Sequence, residues 1–150
     1  MKKLLSKWLM GNIVEKKSTN APYEKVIETL TEIVSKNKFS VVSIHDMRKT
    51  YTKKNLNMTN DFEYKIIQIC NAQKSHKALT NMSFDMGVMM PKSIIASYDN
   101  GKTTLRYMKM KPWMVSLMFP ELDIVPMSKK ITEIMENIVN ETIEKVESSK

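Results

Sequence analysis

The chain has 150 residues, of which 42% are hydrophobic and 27% charged, and its formal net charge is +8. This length is typical of one domain with a sizeable core, and no apolar run approaches the roughly 20 residues that a membrane-spanning helix needs. The composition therefore excludes an integral membrane protein. The single cysteine cannot form an internal disulfide, and such cysteine usage favours the reducing cytoplasm.

Residues 1–20 predict an N-terminal segment that forms an amphipathic helix and then a strand. The basic start is similar to a secretory signal, but Lys7 interrupts the apolar stretch and no small-residue cleavage pattern follows, so we expect no secretion. One helical face carries the apolar side chains and the opposite face the lysines: Leu4, Leu5, Trp8 and Leu9 against Lys2, Lys3 and Lys7. Such a stripe packs on its own protein in most cases. The alternative is a weak contact of residues 1–10 with an anionic membrane surface.

An amphipathic helix is predicted over residues 21–36, with Asn20 as its cap and Pro22 in its first turn. Its apolar residues recur at helical spacing: Tyr23, Val26, Ile27, Leu30, Ile33 and Val34. Residues 39–44 alternate as a strand, and Asp46 is expected to cap a short helix through Tyr51. A polar loop follows over residues 55–61.

The stretch from Tyr64 to Pro91 places the chain's cysteine at a strand end. The strand 64–70 is apolar on both faces, which indicates an inner position in its sheet. It ends at Cys70, and Asn71 is expected to cap a helix over residues 72–79. Such a helix N-terminus favours a thiolate. Gly87 is expected to serve a turn before Pro91.

Residues 93–98 and 102–110 predict a β-hairpin, since Asn100-Gly101 supplies the positive φ of a type I′ turn. With a two-residue loop Asp99 faces Lys102, and the core side carries Ile94, Ala96 and Tyr98 opposite Tyr107, Leu105 and Thr103. The other side is polar, with a single cation: Ser93, Ser97, Thr104 and Arg106 around Ile95.

A helical turn over residues 113–119 and a second long helix capped by Ser128 complete the chain. The second helix is marked by Ile131, Ile134, Met135, Ile138, Thr142 and Val146. The order of these elements predicts an α+β domain with helices on one face of a largely antiparallel sheet.

Two segments, IIQICNAQKSHKAL and GVMMPKSIIASYDNGKTTLRYMKMKPWM, resemble the core segments of domain-of-unknown-function family 302. That family has a Cys-Asn-Pro, a helix similar to Ala-x-x-x-Leu, and a turn similar to Leu-Leu-Pro-Cys before a glycine-containing hairpin. The resemblance covers residues 21–147 and implies one TATA-box-binding-protein-like α+β domain there, with two long helices on one sheet face, and a homodimer. Two departures are Ala72 in place of the proline and Lys92 in place of the second cysteine. The loss of that thiol excludes a two-cysteine redox cycle within one chain.

Cys70 is the sharpest candidate for chemistry. With Asn71, and with Lys92 or His76 nearby, it could hold a thiolate for thiol chemistry or sulfur transfer. A lone cysteine is more often a small buried hydrophobe. Arg106 amid hydroxyls matches a small anion, although a plain solvated sheet face is the simpler interpretation.

Other site classes receive little support. His45, His76, Cys70 and Asp46 lack the spacing of metal ligands, and three glycines cannot build a phosphate cradle. Nucleic-acid binding is not expected, because the positive charge is scattered lysine with only two arginines.

These observations predict a non-enzymatic, homodimeric, cytoplasmic domain without a cofactor. We expect it to bind a small ligand, an anion included, near Cys70, Asn71, Lys92 and Arg106. The alternative is a thiol-dependent enzyme or sulfur carrier that uses Cys70.

Overall fold

An antiparallel sheet of five strands organises the protein, and the computed structural model describes residues 1–149. The strand order is β1-β5-β4-β3-β2. The strands are β1 (Val14–Thr19), β2 (Ser40–Asp46), β3 (Glu63–Cys70), β4 (Lys92–Asp99) and β5 (Lys102–Met108). The helices are α1 (Lys2–Ile13), α2 (Tyr23–Lys36), α3 (Met47–Lys53), α4 (Ala72–Asn81), α5 (Pro112–Met118) and α6 (Val125–Ser148), and a 3₁₀ helix spans Phe84–Met89.

The main core lies between one face of the sheet and the two long helices α2 and α6. Alternate residues of β3, β4 and β5 point to this face and are buried: Ile67, Ile69, Ile94, Ala96, Leu105 and Tyr107. The helical periodicity of α2 supplies the opposing side chains, Leu30 and Val34 among them. The predicted α+β fold with two helices on one sheet face is therefore confirmed. Its likeness to the TATA-box-binding protein stays a prediction.

The hairpin of β4 and β5 has the predicted register. Asp99 lies opposite Lys102, and Ala96 lies opposite Leu105. Asn100 and Gly101 both have positive φ, at 50° and 77°, as the type I′ turn requires. The predicted caps Asp46 and Asn71 are also present, since each side chain accepts a hydrogen bond from the backbone N–H three residues later.

Two other predicted caps are wrong. Asn20 does not cap α2, because that helix begins after Pro22, and α6 begins at Val125, three residues before Ser128. In both cases a proline occupies the cap or the first turn. At these positions a backbone N–H would have no hydrogen-bond partner within the helix, so its absence in proline costs nothing. The hairpin-based expectation of a single cation on the polar sheet face is also wrong, because β1 pairs with β5 and sets Lys16 opposite Arg106.

The N-terminal segment folds as a helix and then a strand. β1 is the edge strand beside β5, so the sheet of the domain includes residues 14–19. α1 is different, since none of its residues is buried.

A smaller apolar cluster lies away from the main core. Its buried members come from α4, the 3₁₀ helix, α5 and the residue before α6: Ala78, Met86, Val115 and Ile124. All four of these buried residues also line the candidate site described below.

Candidate ligand pocket

An open pocket lies between the end of β3, the start of β4 and the smaller apolar cluster. We call it the Cys70–Lys92 pocket. Its apolar lining comes from Phe39, Ile69, Ala78, Met86, Met89, Met90, Pro91, Val115, Ile124, Met127 and Ile131. Its other lining residues are Cys70, Asn71, Lys74, Ser75, Lys92 and Ser128. The lining therefore contains two lysines and no carboxylate.

Asn71 has a structural task in this pocket. Its Oδ1 accepts a hydrogen bond of 3.0 Å from the Lys74 backbone N–H, and its Nδ2 donates one of 2.9 Å to the Lys38 carbonyl. The first bond caps α4 and the second ties that cap to the turn after α2. Both ends of the amide are thus engaged, and Asn71 fixes the corner between β3 and α4.

Lys92 is the first residue of β4 and is half-buried. It lies opposite Ile69, which is fully buried, so its side chain leaves the sheet on the core side. Burial lowers the pKa of Lys92 below its usual value. Within residues 1–149 no carboxylate lies within ion-pair distance of its ammonium group. The pocket thus contains a poorly solvated cation that lacks an anion.

Lys74 is the second cation of the lining, and it lies in the first turn of α4. Its pKa is lowered first by burial and then by the neighbouring charges of Lys130 and Lys38. The charges that act on Lys74 are those of other lysines, so the local potential is positive.

Cys70 is a free, half-buried thiol that lines the same pocket. His76, the other partner considered for it, is exposed on α4 and does not line the pocket. Lys92 is therefore the candidate partner that lines the same pocket as Cys70.

Arg106 lies elsewhere. It is opposite Ile95 on the sheet face that points away from α2 and α6, and its guanidinium donates a hydrogen bond to the Ser97 hydroxyl. The structure therefore brings together Cys70, Asn71 and Lys92 and separates Arg106 from them.

Sequence reasoning missed much of the pocket lining. Lys74 and Ser75 follow Cys70-Asn71 within one helical turn, so the predicted cap could have pointed to them. The sequence near Cys70 does not indicate the contribution of Val115, Ile124 and Met127, because these residues lie far from Cys70 along the chain.

Two further findings concern residues 1–149. No group of three or more His, Cys, Asp or Glu side chains is placed to hold a metal ion. No helix in this range has the length and apolar character to cross a bilayer.

Comparisons with known proteins place this architecture in a family. The family model described as "Domain of unknown function DUF302" matches residues 14–142. A crystal structure of an uncharacterised conserved DUF302 protein from Bacillus stearothermophilus is similar, with a TM-score of 0.73 and 19% identity over 85% of this chain and 95% of that one. Among curated proteins, none matches the chain. With a model match from β1 into α6 and the same fold in a solved member, the chain belongs to the DUF302 family.

Proposed function

We propose that the protein is a non-enzymatic binding domain whose Cys70–Lys92 pocket takes a small apolar molecule with one anionic group. The observation that carries this proposal is Lys92, a half-buried cation in a largely apolar pocket whose lining has no carboxylate. A ligand anion beside Lys92 would supply the missing counter-charge. The apolar lining would meanwhile remove the rest of the ligand from water.

The lining of the pocket supports a ligand of this kind. Small-molecule sites are mostly apolar with a few polar groups that set orientation, and this lining has the same character. The methionines Met86, Met89 and Met127 line much of the wall. Their unbranched, polarisable side chains adapt to ligands of varied shape.

Laurate and dodecanol form a matched pair of probes, because they share a twelve-carbon chain and differ in charge. Calorimetric titration at pH 7 should show that laurate binds about tenfold more tightly than dodecanol, the value of one partly buried charge-assisted contact. Lys92→Met should remove that difference and leave dodecanol binding nearly unchanged. Lys102→Met, at the far end of the hairpin, is the control and should bind both as the parent does. Equal affinity of the parent for both probes, or no binding of either, would contradict the proposal.

We further propose a homodimer, in line with the family resemblance. Strand β2 supports this, since it is an edge strand on which Val42 and Ile44 are 55% and 46% exposed. An apolar edge with unpaired backbone groups favours pairing with a second copy. Light scattering at micromolar concentration should give twice 17.4 kDa, and Ile44→Lys should shift the protein to monomer. A parent that stays monomeric across that range would rule the dimer out.

The second candidate function is a thiol-dependent enzyme or sulfur carrier, which is favoured by the shared lining of Cys70 and Lys92. It makes the opposite prediction for reactivity. Under the binding proposal, iodoacetamide labels the folded protein slowly at neutral pH and the unfolded protein much faster. Rapid labelling of the folded protein, with a thiol pKa well below about 8.5, would favour the thiol function.

A free cysteine also supports our proposal that the protein works in the reducing cytoplasm.

A further inference from the structure

We infer that α1 and α5 together form a surface that docks on membranes containing anionic lipid. The tryptophan surface, as we call it, consists of Leu4, Leu5, Trp8 and Leu9 on α1 and Trp113 and Leu117 on α5. None of these six residues lines the Cys70–Lys92 pocket, and the inference does not depend on the ligand proposal.

The apolar stripe of α1 has no cover in the folded chain. Leu4 is 80% exposed and Trp8 57% exposed, and no residue of the helix is buried. The family match begins at Val14, directly after α1. Folding of the family domain therefore does not account for this apolar face. A group of exposed apolar side chains on one helix face marks a contact with a partner or a membrane.

α5 begins beside the end of α1 and carries exposed apolar side chains of its own. The Lys109 backbone N–H donates to the Ile13 carbonyl at 2.7 Å, and Lys111 Nζ donates to Asn12 Oδ1 at 2.6 Å. These bonds hold the end of α1 against the segment that leads into α5. α5 buries Val115 in the smaller apolar cluster while Trp113 and Leu117, one turn apart, remain 53% and 74% exposed.

Charge selects the kind of partner. Residues 1–14 and 100–120 contain no aspartate or glutamate. Exposed lysines flank the apolar side chains on both helices: Lys2, Lys3, Lys7 and Lys111. A basic, leucine- and tryptophan-bearing helix lies in the headgroup region of an anionic bilayer, with its cations toward the phosphates.

The tryptophans give a second, independent indication. Trp8 and Trp113 are the two tryptophans of the chain, and both lie on this surface. Tryptophan is enriched at membrane–water interfaces, since its ring is apolar and its N–H is polar.

Vesicle flotation of the full chain tests the inference directly. We expect the protein to float with vesicles of phosphatidylcholine and phosphatidylglycerol at a molar ratio of seven to three and to remain at the bottom with phosphatidylcholine alone. Tryptophan emission should shift to the blue on binding, and brominated lipid should quench it. A protein that floats with neither type of vesicle would overturn the inference.

Two variants separate the contributions of charge and apolar contact. Lys3→Glu with Lys7→Glu should weaken binding to the anionic vesicles by about tenfold or more. The matched control is Lys53→Glu with Lys54→Glu, the same charge change at exposed positions at the end of α3, and it should have a much smaller effect. Leu4→Ser with Trp8→Ser should also abolish flotation, and its thermal unfolding should match the parent because neither side chain is buried.

The alternative partner for the tryptophan surface is a second copy of the chain. In that case the parent would be a dimer that Leu4→Ser with Trp8→Ser converts to monomer, and neither protein would bind vesicles. That result would overturn the inference, as would equal flotation of the parent and both α1 variants.

Discussion

Ile69 and Lys92 lie directly opposite each other on β3 and β4, so a fully buried side chain and a lysine leave the sheet on the same face. The main core ends at this pair, and the Cys70–Lys92 pocket begins there. A cation at this position is desolvated by the core on one side and by the smaller apolar cluster on the other.

The first prediction concerns the stability cost of Lys92. Because its pKa is lowered in the folded state, folding penalises the charged form, and Lys92→Met should raise the free energy of unfolding at pH 7 by on the order of 1 kcal/mol. The gain should be full below the lowered pKa and shrink as pH rises toward about 10.4, where the unfolded chain also loses the proton. Urea unfolding of parent and variant at pH 7 and pH 10 measures both effects.

The control for that measurement is Lys102→Met, at an exposed position of the turn. It should change stability by less than about 0.5 kcal/mol at either pH. A Lys92→Met protein that is less stable than the parent at pH 7 would show that the ammonium group has a stabilising partner.

The second prediction concerns Tyr23, whose buried hydroxyl donates a hydrogen bond of 2.9 Å to the Ala96 carbonyl and joins α2 to β4. Tyr23→Phe should cost about 1 kcal/mol at pH 7. Burial, followed by the charges of Glu63, Glu24 and Asp46, raises the pKa of Tyr23. Its stabilising effect is therefore full below about pH 10, the unfolded value, and is lost as pH rises toward the higher folded pKa.

Above pH 10 the free energy of unfolding of the parent should fall as pH rises, because the unfolded chain loses the Tyr23 proton before the folded chain does. Tyr23 accounts for at most one proton of this pH dependence, and Tyr23→Phe should reduce the slope accordingly. The slope that remains includes Tyr107, since burial raises the pKa of that residue to about 12. Tyr64→Phe is a suitable control, because its ring stacks on Phe62 and that contact survives the change. An unchanged alkaline slope in Tyr23→Phe would contradict the assignment.

The third prediction compares two glycines. Gly101 has a φ of 77° in the hairpin turn, so Gly101→Ala should lower the free energy of unfolding by about 1 kcal/mol. Gly11 lies in α1 with open space around it, and Gly11→Ala should be neutral for the domain and favour the helix. Chemical denaturation of the pair tests the turn assignment, which fails if the two variants behave alike.

The fourth prediction concerns nucleic acid. Both arginines already have partners within the protein, since Arg48 donates to the Phe62 carbonyl and lies 3.7 Å from Glu63, and Arg106 donates to Ser97. We therefore expect duplex DNA to bind weakly at physiological salt and without regard to sequence. Fluorescence anisotropy with two unrelated duplexes measures this. Sub-micromolar binding that differs between the duplexes would contradict it.

Elements that depend on neighbouring residues were determined by the sequence alone. The periodicity of α2, the Asn71 cap and the Asn100-Gly101 turn each involve contacts within one or two turns of chain, so local patterns were enough. The hairpin register then followed from the length of its loop. The same register also indicates which sheet face each cation occupies. Lys92 is two residues from core-facing Ile94, while Arg106 lies opposite Ile95. Strand alternation alone puts the two cations on different faces.

Tertiary structure decided the rest. β1 reached the sheet edge beside β5 through pairing across about ninety residues, which no local pattern encodes. The pocket wall of Val115 and Ile124 comes from segments far from Cys70 in the chain. The sequence predicted the amphipathic helix α1. Whether its apolar face packs against the rest of the protein depends on distant residues, and in the fold that face remains exposed to solvent. Side-chain pattern sets what each element can bury, and only the packing of distant elements decides what each one does bury.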